Sequence, residues 1–319
     1  MGMNHIANEI TPKKLVIASR ESLLAMWQAK HIQARLKALY PDCDVQILGM
    51  TTQGDQILDK PLATIGGKGL FIKELENALL DGRADIAVHS MKDVPMNMPE
   101  GFSLVATCDR ENPLDAFVSN DYESLAALPN GSIVGTSSLR RQSQIQARFP
   151  HLKIESLRGN VQTRLNKLDE GQYTAIILAA AGLIRLGLGN RIRGYIPAKD
   201  SIPAVGQGAL GIEIKAARTD LIDLLKPLNH RDTEQCVEAE RGFSRTLAGS
   251  CTVPLGAHAT KQGNTITLIG FVASVDGKKM LRNCISGDAN DAENIGKALA
   301  AKLISLGADK ILAELDGVK

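Results

Sequence analysis

Arginines recur in this sequence soon after short apolar runs: Arg20 follows Leu15 to Ala18, Arg140 and Arg141 follow Ile133-Val134, and Arg158, Arg164 and Arg185 lie further along. A guanidinium offers a planar fork of donors to a carboxylate, and a helix N-terminus adds positive partial charge at the same place. Arginines at strand-to-helix turns therefore describe a surface for several carboxylates. Any single one reads better as a solvated surface charge, and the repetition is what favours binding. Lys92-Asp93 stands just past the apolar run Ile86 to Val88, inside His89-Ser90-Met91-Lys92-Asp93-Val94-Pro95, where Pro95 stops a regular continuation. A carboxylate held there can pass a proton or face a cation, although a bare Lys-Asp pair is ordinarily a surface ion pair. Cys251 lies in Gly249-Ser250-Cys251-Thr252-Val253-Pro254, a loop bounded by Gly and Pro. A loop thiol near Arg241 or Arg245 can act as a nucleophile or carry a covalent group, against the commoner case of a buried, inert cysteine.

Other patterns exclude chemistry. Gly66-Gly67-Lys68-Gly69-Leu70-Phe71 lacks the spacing of a phosphate-binding loop, and no GxGxxG opens a helix after a strand, so nucleotide binding is not expected. Six histidines show no HxxxH spacing, and no protein-bound metal is expected. Gly206-Gln207-Gly208 reads as a tight crossing between domains.

The elements that must position these residues alternate. A strand at Leu15 to Ala18 precedes a helix with Ala25, Ala29, Ile32, Leu36 and Leu39 on one face, then a strand at Val45 to Met50. The Gly-rich stretch from Thr51 to Lys68 reads as a mobile loop, followed by a helix from about Gly69 to Leu80 and the strand at Ile86 to Val88. The plan repeats: Ile133-Val134 runs into Gly135-Thr136-Ser137-Ser138 and a helix, and Gly159 to Gly171 feeds a strand at Ala175 to Leu178. Two similar doubly wound α/β lobes are expected, with largely parallel sheets and ligands at the carboxyl ends of the strands. After Leu228 the pattern changes to a helix at Thr233 to Leu247, a loop at Gly249 to Gly256, strands near Thr265 to Val272 and Lys279 to Ser286 joined by Asp276-Gly277, and a helix from about Ala292 to Leu306. This reads as a smaller antiparallel α+β domain.

Composition agrees. A chain of 319 residues, 44% hydrophobic and 23% charged, can bury a substantial core over about two or three domains. Its net charge of +2 gives no global attraction to nucleic acid or membrane, so an anion site must be local. Five cysteines without CxxC spacing suit a reducing compartment rather than a disulfide framework. No leader-like start and no long apolar run are evident, and a cytoplasmic protein is expected.

Glu240-Arg241-Gly242-Phe243, followed by Leu247-Ala248-Gly249-Ser250-Cys251-Thr252-Val253-Pro254-Leu255-Gly256, closely resembles the cofactor-attachment signature of porphobilinogen deaminases. In order along the chain, Ile17 to Ser22, Gly66 to Glu76, His89 to Pro95, Val134 to Arg141, Leu157 to Asn160 and Pro203 to Gly211 are similar to that family too. The resemblance spans roughly Lys14 to the C-terminus. It implies a transferase of tetrapyrrole synthesis that joins four porphobilinogen molecules head to tail with loss of ammonia and hydrolyses the chain off as hydroxymethylbilane. It further implies a dipyrromethane cofactor on Cys251 through a thioether, and Asp93 as the catalytic carboxylate that holds pyrrole N–H groups and meets the cationic azafulvene. Lys92, Ser90, Thr136, Ser138, Arg140 and Arg141 would bind the cofactor, and Arg20, Ser22, Arg158, Arg164, Arg185 and Phe71 the substrate. The resemblance implies two similar doubly wound α/β lobes forming a cleft, 13–108 with 209–226 and then 113–202, followed by 231–319 carrying the cysteine loop, in a monomer without nucleic-acid or membrane partners. Asn112 and Leu114 depart from the Asp and Arg common at those places, which puts hinge behaviour in question. The competing class is a two-lobed anion-binding protein without catalysis; a regulatory ligand-binding domain would need an output module, and no DNA-binding helix pair or basic arm is evident.

Overall fold

The computed structural model describes residues 12–52, 72–247 and 253–316. Their core is divided among three sheets. In the first, β1 (Lys14–Arg20), β2 (Asp44–Met50), β3 (Ile86–Ser90), β4 (Phe102–Thr107) and β10 (Leu210–Lys215) stand in the order β2-β1-β3-β10-β4. β1 runs parallel to β2 and β3, while β10 is antiparallel to both its neighbours. Side chains alternate across the sheet. Leu15, Ile17, Ile86 and Val88 meet Ala29, Ile32 and Leu36 of helix α1 (Leu23–Leu39), whereas Ala18 and Ala87 meet Leu75, Ala78 and Leu79 of helix α2 (Lys73–Leu80).

The second sheet repeats this plan. β5 (Asp115–Val118), β6 (Ile133–Gly135), β7 (Lys153–Glu155), β8 (Ala175–Ala179) and β9 (Gly194–Ile196) stand in the order β7-β6-β8-β5-β9. β6 is parallel to β7 and β8, and β5 is antiparallel to β8 and β9. Helices α3 (Leu139–Arg148), α4 (Val161–Asp169) and α5 (Ala180–Arg185) cover it, with Ile145 on one face and Leu165, Leu168 and Leu183 on the other. In both sheets the fourth position alone is reversed, filled from downstream by β10 and from upstream by β5. That repetition is the physical content of the expected similar lobes. The reversal was not readable from Leu210 to Ile214, because a mostly apolar run broken by Glu213 reports burial and not direction.

The third sheet is antiparallel, in the order β11-β12-β13, from Leu255–Gln262, Thr265–Ala273 and Met280–Asp288. β11 starts inside the segment expected to be a loop, and β4, β5, β7 and β9 were also not anticipated. Two helices, Arg231–Thr246 and Ala292–Ser305, approach closely: a Cβ at Gly296 would lie 2.2 Å from the carbonyl oxygen of Ala239, and one at Gly242 would lie 2.6 Å from that of Glu293. By contact, one compact unit holds the first sheet (residues 12–52, 72–109 and 209–234), and the other holds the second and third sheets (110–208, 235–247 and 253–316). No described helix is long and apolar enough to cross a membrane.

Candidate active site

In the first unit the expected residues gather at the carboxyl ends of two adjacent strands. Arg20 is the last residue of β1 and is half-buried. Ser22 caps α1, its Oγ accepting from the Ala25 N–H at 3.4 Å. β3, paired with β1, ends at Ser90, whose Oγ accepts from Nε2 of the buried Gln28 at 2.8 Å. The chain then makes a single 3-10 turn, Met91–Asp93. Met91 and Val94 are buried, the Met91 N–H donates to Ala209 O at 2.9 Å, and Val94 N–H donates back to Met91 O. This pins the turn at both sides and leaves Lys92 and Asp93 half-buried. Asp93 makes no hydrogen bond or ion pair with a described residue, so its carboxylate is the free end of a fixed turn.

Beneath the turn lies a pair that the sequence did not single out. His89 Nε2 is 2.7 Å from Glu213 Oε2, both side chains buried. Glu76 on α2 has its pKa raised by burial and by the charge of Glu213, against the opposing effect of His89. One residue before Ser90, this pair clamps β3 to β10.

In the second unit Thr136 and Ser138 follow β6. The Thr136 N–H donates to Glu155 O at 2.9 Å, its Oγ1 accepts from the Ser138 N–H at 3.2 Å, and Ser138 opens α3. Arg140 and Arg141 fall in the first turn of that helix. They are not the open, solvated arginines that surface placement would give: each is 6% exposed, and both pair with Asp115, itself fully buried. Burial alone would push the Asp115 carboxyl up, and the two guanidiniums overcome it, holding it well below the carboxylate range. Arg158 and Arg164 flank Gly159 after β7. Arg164 Nε donates to Gly159 O at 2.7 Å, and Asn160 caps α4 through Thr163 N–H at 2.9 Å. Arg185 closes α5, 9% exposed, and its Nη2 donates to Gly208 O at 2.7 Å. Every described arginine of the expected set therefore stands at or beyond a strand's carboxyl end.

A second buried carboxylate, Glu240, organises the entry to the third sheet. Arg110 grips it with both Nη atoms at 2.7 and 3.1 Å, and the N–H groups of Gly206 and Ala259 donate to it at 2.7 and 2.8 Å. Burial by itself raises its pKa, and Arg110 with His258 outweighs this, holding it at about 2. A carboxyl depressed in the folded state stabilises above its ordinary range and loses that contribution as pH falls through its folded value. Between about pH 4.5 and pH 2 the protein should thus lose up to about 3 kcal/mol through this group. Glu240→Gln is expected to be weaker at neutral pH but to lack this acid limb, as read by urea unfolding across that window. Asn112 Oδ1 accepts from the Leu114 N–H at 3.0 Å; an Asp at that place could close the same turn.

Cys251 and Phe71 lie outside the described residues, as does the Gly66–Phe71 segment. The described flanks of the cysteine segment are anchored: Leu247 is buried, and Pro254 O accepts from Ala273 N–H at 2.9 Å. Arg241, one of the basic neighbours, is buried and its pKa is pushed down to about 10, first by burial and then by Arg245. Among the described residues no cluster of three His, Cys, Asp or Glu is placed to hold a metal ion. Asp115 and Glu213 carried a weak signal in the sequence, each being an acidic residue at or within an apolar run.

Two family models match the chain: "Porphobilinogen deaminase, dipyromethane cofactor binding domain" over residues 15–223, and "Porphobilinogen deaminase, C-terminal domain" over 234–305. Among curated proteins, the porphobilinogen deaminase of Methylobacillus flagellatus is 71% identical over 304 residues, covering 95% of this chain and 98% of that one. Those of Chromobacterium violaceum and Neisseria meningitidis are 64% and 63% identical, covering 94% and 95% of this chain and 97% of each relative.

Proposed function

The chain belongs to the porphobilinogen deaminase family, enzymes of heme and tetrapyrrole biosynthesis that condense porphobilinogen into hydroxymethylbilane, and from that premise we propose which of its residues carry the reaction. Asp93 is the catalytic carboxylate. The observation that supports it most is the fixed turn Met91–Asp93, which presents a half-buried carboxylate with no described partner beside Lys92 at the carboxyl end of β3. A pyrrole N–H is a donor that such a carboxylate accepts, an aminomethyl group needs a proton to depart as ammonia, and the ring left behind is cationic. Asp93 serves all three: its Oδ atoms hold the N–H, pass the proton, and face the positive charge.

The residues present fit the family's dipyrromethane. Its carboxylates call for cationic forks, and the second sheet supplies two guanidiniums against a single buried carboxylate. When bound, the dipyrromethane supplies the pyrrole terminus onto which substrate units are joined. Cys251 holds it by a thioether; Lys92, Ser90, Thr136, Ser138, Arg140 and Arg141 orient it. Arg20, Ser22, Arg158, Arg164, Arg185 and Phe71 take the acetate, propionate and ring of porphobilinogen. We further read three domains with the boundaries given above, acting as a monomer. The described cysteines are free thiols, three of them buried, which favours the reducing cytoplasm.

The test is stoichiometric. Incubation with porphobilinogen is expected to release one ammonia per molecule consumed and, after addition of one water, a linear tetrapyrrole of four units. Binding of porphobilinogen without ammonia would overturn the assignment and favour a two-lobed carboxylate-binding protein instead.

A further inference from the structure

We infer that Asp115 and Gln207 are positioning residues of this site: Asp115 is the counter-ion that holds the Arg140–Arg141 pair at one net positive charge, and Gln207 fixes that carboxylate from the crossing at Gly206–Gly208. The inference rests on the reading of Arg140 and Arg141 as carboxylate binders.

Two adjacent guanidiniums repel, and burying both is costly unless a carboxylate is shared between them. Asp115 Oδ1 accepts from Arg140 Nη2 at 3.0 Å, from Arg141 Nε and Nη2 at 3.0 and 2.8 Å, and from Gln207 Nε2 at 3.0 Å. Oδ2 accepts from Arg140 Nη1 and from Ser201 Oγ, both at 2.9 Å. Backbone carbonyls complete the frame, Ile202 O for Arg140 and Ile177 O for Arg141. Each guanidinium has five N–H donors, and these contacts use three on each. Donors and one positive charge remain for a ligand carboxylate.

Gln207 explains the short Gly-Gln-Gly motif. Its Nε2 also donates to Pro113 O at 2.6 Å, and its own carbonyl accepts from Arg110 Nε at 2.8 Å. Gly208 has φ of +92°, and a Cβ there would lie 2.3 Å from Glu111 O, so the crossing passes too close for any side chain. The amide therefore meets Asp115 from a fixed backbone, and it adds donors without adding charge. A carboxylate at the same place would cancel the charge that the ligand is to neutralise.

Gln207→Glu tests this. While protonated, the introduced carboxyl still donates to Asp115, with one O–H in place of the amide's two N–H donors. The groups facing it are Asp115, which with burial holds the proton on, and Arg140, Arg141 and Arg110, which pull it off. As pH rises the proton leaves and the pair falls from one positive charge to none. The KM for porphobilinogen is expected within about twofold of the parent near pH 6 and at least about tenfold above it near pH 9, with kcat moving less and the thermal transition followed at each pH. Asp115→Asn keeps the shape and removes the charge; adding Gln207→Glu to it returns one carboxylate and is expected to recover at least about tenfold in kcat/KM over Asp115→Asn alone. A KM ratio that stays flat from pH 6 to pH 9, or a double variant that recovers nothing, overturns the inference. Arg141→Lys separates it from its premise: an unchanged KM there sinks the carboxylate reading itself, whereas a raised KM with a flat Gln207→Glu ratio sinks only the counter-ion role.

Discussion

Asp93→Asn is expected to fold like the parent, to keep its cofactor, and to lose about a hundredfold to ten-thousandfold in kcat. The stability half of this expectation follows from what Asp93 does not touch. Its carboxylate makes no hydrogen bond or ion pair with a described residue, and the turn that carries it is held by the buried Met91 and Val94 and by the Met91 N–H on Ala209 O. Changes at such positions ordinarily shift stability by under about 0.5 kcal/mol. The kinetic half follows from what an amide cannot do. Asn keeps one acceptor for a pyrrole N–H, so binding survives in part and KM moves less than kcat. It can neither pass a proton to the departing amine nor place a negative charge against the cationic ring. Asp93→Glu restores the charge one methylene further out and should fall between the two. Ammonia release in a single turnover, read beside the thermal transition, separates the effects. An Asp93→Asn enzyme within threefold of the parent in kcat would remove Asp93 from the chemistry.

The turn that carries Asp93 was legible because three local signals agree there: an apolar run, a polar break and a proline. Arg20, Arg140, Arg141 and Arg185 were legible for a related reason, as each follows a strand that announces itself, whereas Arg158 and Arg164 follow the short β7. What holds them was not. Asp115 sits 25 residues from Arg140, Gln207 is 92 residues from Asp115, and Glu213 is 124 residues from His89. No periodicity links such distances; they are set by which strand fills the reversed position of each sheet. β5 and β10 therefore escaped in two ways, by their direction and by the carboxylates they bury. The missed strands β7 and β9 have three residues each, too few for an alternating pattern to stand out. β11 was hidden by its own start, since Gly256 lies 2.7 Å, measured from a Cβ it lacks, from Pro203 O, and glycine in a sequence reads as loop. Cys251 is the opposite case. Composition and spacing left it as one partnerless thiol among five, and only the resemblance of the surrounding segment gives it a role.

For that reason the second large effect falls on Cys251. Cys251→Ser is expected to fold, to carry no covalent dipyrromethane, and to lose turnover by more than about a thousandfold, because a hydroxyl is intrinsically a far weaker nucleophile than a thiol. The measurement is intact mass under denaturing conditions, where only a covalent group survives. The parent should be heavier than its sequence by two linked pyrrole units, and Cys251→Ser should match its sequence. The other thiols supply the control. Cys43, Cys108 and Cys236 are buried, so Cys284, exposed on β13, is the remaining described thiol that a reactive pyrrole could reach. Cys284→Ser should keep both adduct and activity. Loss of the adduct in Cys284→Ser, or its full retention in Cys251→Ser, would move the attachment site. A parent at sequence mass would instead be the unloaded protein, and incubation with porphobilinogen before reweighing should then add the two units to the parent and to Cys284→Ser alone. Loading should also raise the thermal transition of those two proteins and leave that of Cys251→Ser lower, since a group bound only by the folded state stabilises that state, and a tether keeps it there when the free ligand is washed away.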